Sequence, residues 1–145
     1  MLFRQLDGTT KALLVLQCIA MLMGTSTHVA WAINHGFLSA EYHAPLLSML
    51  FWDGLTFLDP LAAVLLIVRP RTGLWLTLGI ITADVLHNNI YYLEELYQSP
   101  QPVLQWLATY WMIAGQIAFA VLVFATFKRN MRALATAEAR QQTVA

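Results

Sequence analysis

The sequence predicts an all-α integral membrane protein, a bundle of four transmembrane helices with both termini in the cytoplasm. Two observations support this prediction. Of the 145 residues, 59% are hydrophobic and 11% are charged, whereas about 25% of the residues of a soluble domain are charged. Four long apolar stretches also follow one another without the alternation of apolar and polar residues that barrel strands require. The composition therefore favours membrane-spanning helices.

The four apolar stretches each come close to the roughly 20 residues that a helix needs to cross the hydrocarbon layer. They cover residues 12–34, 46–68, 73–93 and 104–127. Pro70 marks the second connection as a turn, and Pro100 and Pro102 mark the third, because proline cannot continue a helix interior. We therefore expect one transmembrane domain, residues 1–130, followed by a polar C-terminal tail, residues 131–145.

The basic residues indicate the orientation. All eight lie in the N-terminal segment, the second connection or the C-terminal segment: Arg4, Lys11, Arg69, Arg71, Lys128, Arg129, Arg132 and Arg140. The first and third connections instead carry Glu41, Glu94 and Glu95. Because positively charged connections stay in the cytoplasm, both termini are predicted to be cytoplasmic. The short connections, without a retention or lipidation signal, favour a bacterial inner membrane.

Polar side chains lie at similar depth on all four predicted helices. At about 1.5 Å per residue, they fall roughly 9 to 12 Å below the outer boundary of the membrane. This layer comprises His28, Asp53, His87, Tyr110 and Trp111. Asp59 and Asp84 lie deeper, near the middle of the predicted spans. The arrangement predicts a site that opens toward the outer face or toward the side of the bundle.

Helical spacing indicates which polar groups share a face. On the third helix, Asp84, His87 and Asn88 stand at positions i, i+3 and i+4, so they are expected to point together into the bundle. On the second helix, Asp59 is turned by about 120° from Asp53, so these two acids are expected to meet different partners. The four stretches contain no Lys or Arg. Each acid must therefore be protonated, hydrogen-bonded or neutralised by a bound cation.

Three segments resemble the EXPERA domain, the fold of emopamil-binding sterol isomerases and their sigma-receptor-like relatives. They are THV at 27–29, SMLFWDGLTFLDP at 48–60 and DVLH at 84–87. In the second segment, Ser48, Phe51, Asp53 and Pro60 supply the family's pattern of a Ser or Trp, an apolar-aromatic pair, an acid and a later proline. The resemblance implies four or five helices with cytoplasmic termini. It also implies a cavity, reached from the membrane, that binds sterol-like or amphiphilic amine ligands.

The resemblance also implies roles for individual residues. Asp53 would be the acid that meets a cationic or carbocation-like centre of the ligand, and His87 would be the partner that controls the protonation of Asp53. Trp52 or Trp111 would offer an aromatic face for cation-π contact. The acid that the family usually carries late in its first helix is absent here, where the nearest groups are Asn34 and His35. Its absence favours ligand binding over isomerisation.

The predicted site therefore has two groups of residues. The candidate catalytic residues are Asp53, His87 and Asp84, and the candidate ligand-binding residues are His28, Trp52, Asp59, Asn88, Tyr110 and Trp111. Asp84 with His28 is an alternative to Asp53 with His87 as a proton-transferring pair. Whether a reaction of the isomerase kind takes place is left open.

We expect the protein to bind a lipophilic sterol-, isoprenoid- or amine-like molecule, without a cofactor or a metal. Two alternatives remain open. In the first, the protein is an accessory or structural membrane subunit whose polar groups pin helix packing. In the second, His28 and His87 hold a haem iron from both faces or bind a metal. The expected partners are a membrane lipid or another lipophilic molecule and not nucleic acid, and a homodimer or a partner membrane subunit is left open.

Overall fold

The structure is a computed structural model that describes residues 2–98 and 102–144. Five α-helices fill most of this part of the chain: α1 Gly8–His35, α2 Leu46–Val68, α3 Pro70–Gln98, α4 Val103–Thr109 and α5 Trp111–Val144. Two short 3-10 helices, Leu2–Gln5 and Ala40–Tyr42, precede α1 and α2. No strand occurs within the described residues. The prediction of an all-α fold is therefore confirmed.

The helix boundaries follow from local chemistry. Asp7 caps α1, because its carboxylate accepts hydrogen bonds from the backbone N–H of Thr10 at 3.0 Å and from the Thr10 hydroxyl at 2.6 Å. Gly36 ends α1 with a φ of 82°, which glycine adopts without steric cost. Arg69 alone separates α2 from α3. Pro70 begins α3, where its missing N–H costs no hydrogen bond.

The helix predicted over residues 104–127 is replaced by two helices. Tyr110 interrupts the helix with a φ of −111° and a ψ of 40°, and α5 then continues far beyond residue 127, to Val144. Thr109, Tyr110 and Trp111 are β-branched or aromatic residues of modest helix propensity, so an interruption there costs little. Residues 128–130 of the expected domain and residues 131–144 of the expected polar tail all belong to α5.

Three helices in the described part of the chain are long and apolar enough to cross a membrane: Gly8–His35, Leu46–Val68 and Trp111–Gln142. The sequence predicts four such spans, and α3 is not among the three. Its 29 residues are sufficient in length. Asp84, His87, Asn88 and Asn89 lower its mean hydropathy, because a transfer scale counts polar side chains wherever they point.

The helices pack in sequence order, α1 on α2, α2 on α3 and α3 on α5, and α5 returns to α1. Their contacts bury Leu14, Leu55, Leu66, Leu74 and Val123 completely. Large apolar side chains also cover the outside, among them Ile33, Leu47 and Ile90. Such an apolar exterior suits contact with lipid, because no polar solvent has to be met there.

The N-terminal segment, the α2–α3 turn and the C-terminal part of α5 meet at one end of the bundle, here called the terminal end. Arg71 binds Glu138 with an Nη2–Oε2 distance of 2.5 Å, and Arg129 lies 3.5 Å from Asp7. Leu134 is fully buried there. The opposite end, here called the loop end, carries residues 36–45, which connect α1 to α2.

Candidate functional site

Asp53 is bound to the α1–α2 connection through both carboxylate oxygens. The backbone N–H of Leu38 donates to Oδ2 at 2.6 Å, and the hydroxyl of Tyr42 donates to Oδ1 at 2.7 Å. The Asp53 side chain is buried. Burial, together with the hydrogen bond to Asp53, raises the pKa of Tyr42 above its ordinary value, so the phenol stays protonated and remains a donor. The Asp53 carboxylate thus ties the loop end to α2.

A row of contacting aromatic rings runs from α1 through the α1–α2 connection and α2 to α3. Trp31 contacts Tyr42 with ring centroids 4.7 Å apart, and Tyr42 stacks on Trp52 at 5.3 Å. Trp52 then meets His87 edge-on at 5.3 Å. We call Trp31, Tyr42, Trp52 and His87 the aromatic row. Edge-to-face and offset arrangements of this kind are each worth about 1 kcal/mol beyond area burial.

His87 occupies the end of the aromatic row. Its ring packs against Phe51 at 4.7 Å as well as against Trp52. The Nε2 atom is buried and has no hydrogen-bond partner among the described residues. A buried polar atom without a partner costs roughly 1 to 3 kcal/mol. His87 therefore presents a hydrogen-bonding position that the rest of the described chain does not use.

Asn88 is the centre of a hydrogen-bond network that joins three helices. Trp52 Nε1 on α2 donates to Asn88 Oδ1 at 2.8 Å. Asn88 Nδ2 donates to Asp84 Oδ1 at 2.9 Å and to Gln116 Oε1 on α5 at 3.0 Å. We call Trp52, Asp84, Asn88 and Gln116 the Asn88 network. The predicted inward face of the third helix is thus confirmed for Asp84 and Asn88, both of which are buried.

Asp59 projects from α2 and lies next to Gly24 of α1. It is 5% exposed and Asp84 is 7% exposed, and the two carboxyl groups lie within electrostatic range of each other. Asp59 Oδ1 is buried and has no hydrogen-bond partner in the described part of the chain. Asp59 Oδ2 rests against α1 at Gly24, where a Cβ atom would lie 2.7 Å from it. Asp53 and Asp59 therefore meet different partners, as their spacing predicts.

The other predicted site residues are more scattered. His28 lies within electrostatic range of Asp53. Tyr110 packs its ring against Tyr92 at 5.3 Å and against Trp106 at 5.5 Å. Trp111 is 65% exposed on the outside of the bundle. The structure thus brings Trp52, His87, Asn88, Asp84 and Asp59 together and leaves Trp111 away from them.

Among the described residues, no group of three or more His, Cys, Asp or Glu side chains is placed to hold a metal ion. No protein-family model, curated protein or solved structure matches the chain. The function is therefore inferred from the side chains and their contacts.

Several contact residues were not among the predicted site residues, and Gln116, Tyr42 and Gly24 show three different reasons. Gln116 is a polar residue inside a long apolar run, and that pattern was a usable signal. Tyr42 lies in a connection, where no periodicity indicates which way a side chain points. Gly24 matters because it lacks a side chain, and only the packing of α1 against Asp59 reveals this.

Proposed function

We propose that the protein is an integral membrane protein that binds a lipophilic sterol-, isoprenoid- or amine-like molecule beside the Asn88 network and the aromatic row. The observation that carries this proposal is the Asn88 network itself, which joins polar groups of α2, α3 and α5 inside apolar helices. An interhelical hydrogen bond alone is worth about 1 kcal/mol. An acid near the bilayer centre costs roughly 3 kcal/mol, so packing alone is a weak reason to keep Asp84 there.

The proposal includes a fourth span formed by α3. Thr77, Asp84 and Asn88 are buried, whereas Leu86 and Ile90 are exposed, so the polar residues of α3 point inward and its apolar residues point out. A helix with this arrangement can cross the bilayer, since lipid meets only its apolar side. The terminal end, which carries the basic residues, would lie in the cytoplasm. A bacterial inner membrane fits this arrangement.

His87 and Trp52 are the groups proposed to meet the ligand first. The unpartnered Nε2 atom of His87 offers a hydrogen bond to a hydroxyl or amine group. The neighbouring rings of Phe51 and Trp52 supply an apolar and aromatic wall. Asp53, the acid that the EXPERA resemblance assigns to the ligand, already accepts two hydrogen bonds from the α1–α2 connection. The proposal therefore concerns binding and does not include isomerisation.

Photolabelling tests this proposal. The purified protein in lipid nanodiscs is exposed to photoactivatable cholesterol and, separately, to a photoactivatable isoprenoid alcohol. We expect saturable labelling in the peptides that contain Trp52 and His87. Asn88→Leu removes the centre of the network and should weaken labelling about tenfold, which corresponds to 1.4 kcal/mol.

Asn89→Leu is the matched control. The Asn89 side chain donates to the carbonyl of Val85 on its own helix at 2.7 Å, so it takes no part in the network. Thermal unfolding of both variants separates loss of binding from loss of folding. Equal labelling of the two variants, with both folded, would contradict the proposal.

An accessory subunit is the second candidate function. The Asn88 side chain already has its hydrogen bonds within the protein, as a residue that pins helix packing would. This candidate predicts that neither photoprobe labels the protein saturably. It also predicts that native mass spectrometry of membranes solubilised in mild detergent detects a stoichiometric partner subunit.

A further inference from the structure

We propose that Asp59 and Asp84 form a proton-binding site inside the bundle, in which one exchangeable proton resides on Asp59 while Asp84 is ionised. The site shares Asp84 and Asn88 with the Asn88 network, but none of its contacts requires a bound lipophilic ligand. Three observations lead to it: the burial of both acids, the unpartnered oxygen of Asp59, and the unequal hydrogen bonding of the two carboxyl groups.

Both acids are more than nine-tenths buried, Asp59 on α2 and Asp84 on α3, and they lie within electrostatic range of each other. Burial disfavours an ionised carboxyl group, and a second carboxylate within electrostatic range adds repulsion, so one of the two acids retains a proton. Residues 12–68 and 72–127 contain no Lys or Arg that could neutralise the pair. Because no basic side chain is available there, binding of a proton is what removes one of the two charges.

Hydrogen bonding assigns that proton to Asp59. Asn88 Nδ2 donates to Asp84 Oδ1 at 2.9 Å, and a donor of this kind stabilises an ionised carboxylate. Asp59 Oδ1 receives no such donor from the described residues, although it is buried. A protonated Asp59 is neutral and can itself donate, which removes the cost of an unpartnered buried charge.

The surroundings of the pair add no opposing charge. On α1, the residue next to Asp59 is Gly24, which has no side chain and therefore no charge. On α5, the neutral amide of Gln116 accepts a hydrogen bond from Asn88, which in turn donates to Asp84. The nearest titratable groups along the same helices are Asp53 on α2 and His87 on α3, and Asp53 is engaged by Leu38 and Tyr42. His28 on α1 lies within range of Asp53. Burial, and after it the nearby carboxyl group of Asp84, are therefore the two influences on Asp59.

Infrared difference spectroscopy of the full chain in nanodiscs tests the proposal. The carbonyl band of a protonated carboxyl group is followed while the pH is raised from about 5 to about 9, the range in which buried carboxyl groups titrate. We expect one such band in the wild type, lost on raising the pH and absent from Asp59→Asn. Asp7→Asn, which changes an exposed acid at the terminal end, should keep the band. A wild type without the band, or a band that persists in Asp59→Asn, would overturn the proposal.

A second variant keeps both acids and disturbs only their geometry. In Gly24→Ala the new Cβ atom meets Asp59 Oδ2, so the carboxyl group must move and the midpoint of the band should shift by about one pH unit, a tenfold change in proton affinity. Gly79→Ala is the matched control, because a Cβ atom at Gly79 meets open space. This comparison remains informative if Asp59→Asn does not fold. Equal midpoints for the two alanine variants would contradict the paired site.

Discussion

The carboxylate of Asp53 holds the α1–α2 connection to the bundle. Leu38, which donates its backbone N–H to this carboxylate, has a φ of 52°. A non-glycine residue in this left-handed region carries a cost of about 1 kcal/mol or more, which the hydrogen bond to the Asp53 carboxyl group offsets. A single buried side chain therefore determines the path of the connection at the loop end.

The first prediction concerns Asp53. Asp53→Ala removes the acceptor for both Leu38 and Tyr42, and we expect the free energy of unfolding to fall by about 1 to 3 kcal/mol. Tyr42→Phe removes one of the two bonds and should cost less. Hydrogen exchange at the Leu38 amide measures the local effect and should accelerate most in Asp53→Ala. Unchanged protection of that amide would show that the carboxylate does not hold the connection.

Asp7 provides a prediction about pH. The hydroxyl and then the backbone N–H of Thr10 lower the pKa of Asp7 below its ordinary value of 3.8. Because the pKa is lower in the folded chain than in the unfolded chain, the cap stabilises α1 above about pH 3.8, and this contribution disappears as the pH falls through the folded pKa.

The stability difference between wild type and Asp7→Ala, measured by thermal unfolding, should therefore be larger at pH 6 than at pH 3. Asp7→Asn retains a capping side chain without the charge. The stability difference between Asp7→Asn and Asp7→Ala should therefore stay nearly constant across the same pH values, because neither variant titrates at this position. A difference that grows toward low pH would have the wrong sign for the proposed cap.

At the scale of helices, the α2–α3 turn depends on the close approach of two backbones. A Cβ atom at Gly73 would overlap the backbone of Leu65 and Leu66, which cannot move aside as a flexible side chain could. Gly73→Ala should therefore destabilise the fold by about 3 kcal/mol or more.

Gly79→Ala is the control for this prediction. Position 79 lies on the same helix with open space around it, and alanine there should stabilise the helix by up to about 1 kcal/mol. Thermal unfolding of both variants provides the measurement. A Gly73→Ala variant as stable as Gly79→Ala would mean that the two helices do not approach as closely as described.

The C-terminal part of α5 belongs to the folded core at the terminal end. Leu134 is completely buried, in the same hydrophobic cluster as Leu6 of the N-terminal segment. Leu134→Ala should lower the free energy of unfolding by about 2 to 5 kcal/mol. Thr136→Ala changes an exposed residue whose hydroxyl bonds to its own helix, and it should change stability by less than about 0.5 kcal/mol. Equal stability of the two variants would indicate that residues beyond 130 do not pack on the bundle.

At the scale of the whole molecule, many large apolar side chains are exposed on the described helices, whereas Asp53, Asp59, Asp84 and Asn88 are buried between them. The membrane proposal makes a direct prediction about the connections. Reporter fusions after Arg69 and after the C-terminus should be cytoplasmic, and fusions within residues 36–45 and at Pro102 should be outside. The fusion at Pro102 decides whether α3 crosses the membrane. A cytoplasmic reporter there would show that α3 does not span the bilayer.

The amino-acid sequence by itself determined the helical class, the bounds of α2 and the inward face of α3. These features depend on local properties: the length of an apolar run, the residues that start or stop a helix, and the 3.6-residue period that places Asp84 and Asn88 on one side. The sequence also indicated that Asp53 and Asp59 point in different directions. Such relations lie within one helix, so they require no knowledge of its neighbours.

Only the tertiary structure decided which groups meet. Asp53 binds Leu38 and Tyr42 in the connection. Asp59 lies against Gly24 of α1, within electrostatic range of Asp84. A partner on another helix depends on how far that helix is turned and shifted. One residue changes the direction of a side chain by about 100° and its height by about 1.5 Å. Side-chain packing between helices fixes these two quantities, and no spacing within a single helix contains them.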